Sequence, residues 1–174
     1  MHRHAGSARH SRYVGRRLRS GPGSHHQQSP RTAESALIGL ILDSSVAITA
    51  ERQRLPVEGM LAAIRGIVGS TEIALSVLSV MELEHGIWRA KDLVRANRRR
   101  QFLEDLIGNV PVYPITTELA RKAGRIDAEQ QERGICIAFQ DLLIGVSALE
   151  LGYAVGTANL RHFRMIPGLN VVPL

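Results

Sequence analysis

A chain of 174 residues is close to the usual size of one domain, and its 44% apolar and 22% charged residues are ordinary globular composition. The longest apolar stretches are broken by charge well before 18 residues, which excludes a bilayer-spanning helix. The single cysteine, Cys136, excludes an internal disulfide and a cysteine zinc cage and fits a reducing, cytoplasmic setting. Its apolar neighbours Ile135 and Ile137 predict a packing role rather than a nucleophile.

The formal net charge of +6 suggests nucleic acid until it is located. Residues 1–33 hold seven arginines and no acid, so residues 34–174 carry 15 basic against 16 acidic side chains, a net of −1. The basicity belongs to one end and the body is nearly neutral, so a high isoelectric point carries no nucleic-acid argument here. Residues 1–36 are rich in Arg, His, Ser and Gly with almost no large apolar residue, and they predict a disordered extension ahead of a domain over 37–174. Three origins fit that segment: a start codon set too far upstream, a flexible basic arm, or an organelle-targeting leader. A secretory signal is excluded, because no apolar core of the required kind occurs in it.

In chain order, residues 38–45 (IGLILDSS) read as a strand buried on both faces, followed by the helical spacing of VAITAER. Residues 56–69 form a second helix opened by Pro56, and EIALSV is another strand. Ser79 is expected to start a long helical region that bends or splits near Gly86 or around Asp92. VPVYPI reads as a strand between prolines, and TTELARKAGRIDAEQQERG (residues 116–134) as an amphipathic helix with Thr116 as its cap. DLLIGVSALEL is a mostly buried helix stopped by Gly152, and YAVGT and LNVVPL are the last two strands. Alternating strands and helices predict an α/β fold, a parallel sheet with helices on both faces.

Acids inside apolar runs are the informative residues, because a buried carboxylate needs a partner. Asp43 ends the first strand, Glu82 lies just past the second, and Asp141 opens the most apolar helix. In an open parallel sheet all three map to the edge where strand carboxyl ends meet helix amino ends, the edge that binds ligands. Singly, Asp43 and Asp141 read as helix N-caps, and Ser79 with Glu82 matches the S-x-x-E capping box. Together, three converging carboxylates need a counter-ion, and oxygen donors favour Mg²⁺ or Mn²⁺, an ion able to activate water in phosphoryl displacement. Ser45, two residues after Asp43, argues against an aspartyl-phosphate phosphatase, and no G-x-x-x-x-G-K-S/T or G-x-G-x-x-G motif supports a nucleotide cofactor.

The segments LILDSSV, SVLSVMELEHGIWRA, DLLIGVSALELGYAVGTANLRHF and IPGL, in that order and spacing, resemble the PIN-domain ribonucleases, specifically the VapC-type toxins of toxin–antitoxin pairs. The resemblance covers residues 39–174. It implies a PIN-like fold and a Mg²⁺-dependent endoribonuclease, with Mn²⁺ as a substitute. It also implies an RNA substrate, a cognate VapB-like antitoxin whose C-terminal segment enters the acidic groove, and a homodimer. Asp43 and Asp141 become metal ligands and Glu82 the third acid, holding the metal directly or through water and orienting the attacking water. Two departures stand out. The usual Asp-Thr-Asn is Asp43-Ser44-Ser45, which keeps a hydroxyl at Ser44 and loses an amide at Ser45. Thr157-Ala158-Asn159 carries a neutral Asn159 where many relatives have a fourth Asp, and His162 stands where relatives often have Asp. Thr157, Asn159 and Ser44 are accessory candidates, and His162, beside Phe163, is either a substrate contact or a surface or capping residue. The run Arg98-Arg99-Arg100, with Arg89, Lys91 and Arg95, is either a contact for RNA phosphates or an acidic partner, or a solvated helix face. Trp88 is read as a packing or interface residue. Two rivals remain at this stage: a PIN nuclease in RNA maturation without an antitoxin, and a silent binding module whose acids only cap helices.

Removal of residues 1–36 is expected to leave melting temperature and nuclease activity unchanged, because the composition breaks at Leu37. Loss of soluble expression, or a melting temperature lower by more than a few degrees, would show that the segment belongs to the fold.

Overall fold

The structure, a computed structural model, describes residues 37–174; the disorder expected of residues 1–36 lies outside the described residues. Strands β1 (Gly39–Leu42), β2 (Glu72–Ser76), β3 (Val112–Tyr113), β4 (Ala154–Thr157) and β5 (Val171–Pro173) form one sheet in the order β3-β2-β1-β4-β5. Every pairing is parallel, with Leu40 opposite Ile73 on one side and Ala154 on the other. Seven helices cover it: α1 (Ser44–Arg52), α2 (Val57–Val68), α3 (Val77–Trp88), α4 (Leu93–Asn109), α5 (Thr117–Glu132), α6 (Phe139–Leu151) and the short α7 (Leu160–Phe163). This is the expected α/β fold. No described helix is long and apolar enough to cross a membrane.

Alternation along β1 divides the apolar interior in two. Leu40 and Leu42 face one core with Ala47 of α1, Ile64 of α2 and Leu106 of α4. Ile41 faces the other, with Leu119 of α5, Ile144 of α6 and Phe163 of α7. Because both faces are covered, GLIL is wholly buried and shows no polar alternation. Helix α3 serves both cores, Leu78 packing in the second and Val80 and Leu83 against the first. The chain leaves β1 and β4 toward opposite sides of the sheet, so a crevice opens between their carboxyl ends, where the Asp43 N–H donates to the Gly156 carbonyl at 2.9 Å.

Several local expectations need correction. Helix α3 starts at Val77, capped by Ser76, whose hydroxyl accepts the Leu78 N–H at 3.3 Å. Ser79 is therefore inside the helix, buried, and donates to the Leu42 carbonyl at 3.0 Å, so no Ser79–Glu82 capping box forms. The long helical region splits at Asp92, which caps α4 through the Arg95 N–H at 2.7 Å, and α3 runs unbroken through Gly86. Thr116 caps α5 as expected. The segment around Val112 keeps only two strand residues, since Pro111 and Pro114 have no N–H for the ladder. Cys136 is exposed, because residues 135–137 alternate and only Ile137 is fully turned inward. Trp88 does not pack either; it is 77% exposed, and its indole N–H donates to Glu84 at 2.8 Å.

Gly152 ends α6 in the left-handed conformation, φ 70°, with open space where a Cβ would stand. Gly152→Ala therefore carries backbone strain alone and is expected to cost roughly 1–2 kcal/mol by chemical denaturation. An unchanged midpoint would show that the α6 terminus relaxes without penalty.

Candidate active site

Asp43 leaves β1 into the crevice. It occupies the N-cap position of α1 without making a side-chain cap bond. Its carboxylate, in a residue only 5% exposed, accepts the Ser45 hydroxyl at 2.5 Å and the Thr157 hydroxyl at 2.8 Å, both on Oδ2. Each hydroxyl is aimed by a second bond, since Ser45 Oγ accepts the Ala158 N–H at 3.1 Å and Thr157 Oγ1 accepts the Asn159 N–H at 2.8 Å. A hydroxyl has one proton and can accept as well as donate, so each accepts one backbone N–H while giving its proton to Asp43. Ser45, read as a lost amide, is thus itself a brace of the first acid.

Glu82 stands in the second turn of α3, where its Oε2 accepts the Ser44 hydroxyl at 2.6 Å. Burial raises its pKa above the ordinary carboxylate value, the bond from Ser44 opposes this, and the charges of Asp43 and Asp141 add to the rise. Asp43 and Asp141 thus both act electrostatically on Glu82. Asp141 is the third residue of α6, whose N-cap is Ala138, so it caps nothing. Its Oδ2 lies 2.8 Å from Nδ1 of His162, on α7. His162 keeps the surface position expected of it, its side chain 43% exposed, and is at the same time the partner of the third acid.

The accessory residues divide. Ser44 and Thr157 each bond an acid, whereas Asn159 contributes its backbone N–H and its side chain makes no cap bond at the start of α7. Among the described residues no Lys or Arg is ion-paired with Asp43, Glu82 or Asp141. No group of three or more described His, Cys, Asp or Glu side chains is gathered so as to hold a metal ion directly. Arg98 and Arg99 both pair with buried Glu51 of α1, although the Arg98 side chain stays 42% exposed, as a solvated face would have it. Sequence reasoning missed Glu51; the available signal was its position four residues after Ala47, on the buried stripe of α1.

The family model of the PIN domain matches residues 40–168, and the chain belongs to that family. It is 28% identical over 139 residues to Ribonuclease VapC of Rickettsia bellii, covering 79% of this chain and 98% of that protein. It is 29% identical over 104 residues to the tRNA(fMet)-specific endonuclease VapC of Salmonella typhimurium, covering 60% of this chain and 76% of the relative. The fold is similar to a chain in the crystal structure of VapBC2 from Rickettsia felis bound to a promoter DNA fragment, with a TM-score of 0.67, 19% identity and coverage of 78% and 98%.

A carboxylate with a raised folded-state pKa costs stability when charged, so that cost is present at neutral pH and vanishes as pH falls toward 4.5, the ordinary value. Without divalent ions, Glu82→Gln is expected to melt above wild type at pH 7–8, with the gain shrinking toward pH 4.5. A gain that grows on acidification would contradict the assigned direction.

Proposed function

We propose that this chain is a divalent-metal-dependent endoribonuclease of the VapC type, the toxin half of a toxin–antitoxin pair. The observation that carries the reading is a set of braced acids, ion-paired with no Lys or Arg among the described residues, at the crevice between β1 and β4. The donor set is oxygen-rich and anionic, which fits Mg²⁺ or Mn²⁺; Mg²⁺ keeps several waters and needs only one or two protein carboxylates, so the lack of a three-ligand cage is no obstacle. Asp43 and Asp141 would hold the ion, and Glu82 would complete the set directly or through water. A bound ion supplies charge neutralisation at the phosphate and a lowered water pKa.

The remaining work falls to the side chains. Ser45 and Thr157 orient the Asp43 carboxylate by donating to it, and Ser44 does the same for Glu82. The raised proton affinity of Glu82 suits it to orient the attacking water and take its proton. Water oxygen then bonds to phosphorus as the phosphorus–oxygen bond to the leaving ribose breaks. His162 holds the orientation of Asp141. The reading as a silent module required these acids to cap helices, and neither Asp43 nor Asp141 does so.

A VapB-like antitoxin, an RNA substrate, a homodimer and a cytoplasmic location complete the proposal. The Rickettsia felis neighbour is, by its description, a VapBC assembly. Co-expression with the product of an adjacent small reading frame, followed by co-purification, separates a toxin from a maturation nuclease.

Sequencing of RNA 5′ ends after induction tests the activity. Wild type is expected to create new ends that Asp43→Asn does not, and identical ends from both would refute the proposal. In vitro, Asp43→Asn and Asp141→Asn are each expected to abolish cleavage with the fold intact. Near wild-type, metal-dependent activity in both variants would remove the acids from the chemistry.

A further inference from the structure

Helices α1 and α3 carry the groups that meet at Ser44 and Glu82, yet their seam is incompletely filled. A cavity of about 140 Å³ lies along it, lined by Ile48 and Glu51 of α1, Glu82, Leu83 and Gly86 of α3, and Arg99 of α4. Packing alone fixes a spacing only where side chains interdigitate without voids. Here polar ties close the seam at its two ends. At the first, Ser44 Oγ donates to Glu82 at 2.6 Å. At the second stands Glu51, a carboxylate only 7% exposed near the end of α1.

Glu51 divides its two oxygens between two arginines. Oε1 accepts from Arg98 Nε at 2.8 Å and Nη2 at 2.6 Å, and Oε2 lies 3.5 Å from Arg99 Nε. Arg99 also reaches the other helix, with Nη1 donating to the Gly86 carbonyl at 2.5 Å. That carbonyl is among the last four of α3, where no further helical turn remains to bond it. Gly86 lies four residues, one turn, beyond Glu82. Arg98 has the same carboxylate partner but no bond to α3, which makes it the natural control.

We propose that Arg99 is a positioning residue. Its guanidinium clasps the end of α1 to the last turn of α3 and so sets where Glu82 stands against Asp43. The role rests on the nuclease reading given above. It uses the one property that separates arginine from lysine, a planar fork able to serve two partners at once. Loss of Arg99 leaves Glu51 paired with Arg98, so no buried charge is orphaned and the fold survives.

The test compares Arg99→Met, Arg99→Lys and Arg98→Met in the full chain, on an RNA oligonucleotide carrying a cleavage site mapped with wild type. Arg99→Met and Arg99→Lys are expected to lower kcat at least about tenfold with KM within about twofold, as displaced catalytic groups do. Arg98→Met is expected to keep kcat within about twofold while lowering the melting temperature. Amide hydrogen exchange supplies a readout independent of activity: residues 82–88 exchange faster in both Arg99 variants and at wild-type rates in Arg98→Met. Wild-type kcat in Arg99→Met, full rescue by Arg99→Lys, or an equal loss in Arg98→Met would each overturn the clasp. If wild type cleaves no RNA, the nuclease reading fails by itself and exchange alone decides, unchanged rates over residues 82–88 in Arg99→Met overturning the inference.

Discussion

The site depends on a nearly buried carboxylate with which no Lys or Arg among the described residues is ion-paired. Asp43 is forced into place by β1, whose four buried apolar residues run straight into the crevice beside β4. A charge in that position is tolerable only if its surroundings donate to it, and the two hydroxyls bonded to it come from opposite ends of the domain sequence. Ser45 follows it on α1, and Thr157 closes β4 more than a hundred residues later. The strand order, with β1 between β2 and β4, brings them together. The acid, its braces and the sheet topology are thus one requirement seen at three scales.

Electrostatics gives the arrangement its direction. Burial first, and then the charges of Asp43 and Asp141, raise the pKa of Glu82, a cost that a proton or a cation from solution would relieve. The flanking helices resist spreading of the acids, because α3 is packed into both cores and bonded to α1 at Ser44. With residues 34–174 close to neutral, attraction for a polyanion does not come from the net charge of this region.

Much of this was legible in the sequence, and the failures have physical reasons. Apolar runs bounded by turn residues placed all five strands, and acids interrupting such runs pointed to Asp43, Glu82 and Asp141. The start of α3 was misread because Ser76 and Ser79 are both good caps, and only tertiary structure shows Ser79 turned to the Leu42 carbonyl. Cys136 was misread because neighbours predict burial only if the local period is known, and the segment lies in the connection between α5 and α6, outside any regular element. Glu51, and the pairing of His162 with Asp141, escaped because the partners lie 47 and 21 residues apart, beyond any local pattern. The short α7 has too few residues to show a period at all.

The central claim is that the Asp43, Glu82 and Asp141 cluster exists to receive a divalent cation. Anomalous diffraction from crystals soaked in Mn²⁺ tests it most directly. The account predicts a peak at bonding distance from carboxylate oxygens of Asp43 and Asp141 that disappears in Asp43→Asn. Crystals with Mn²⁺ bound elsewhere on the molecule, and none between these two acids, would contradict it.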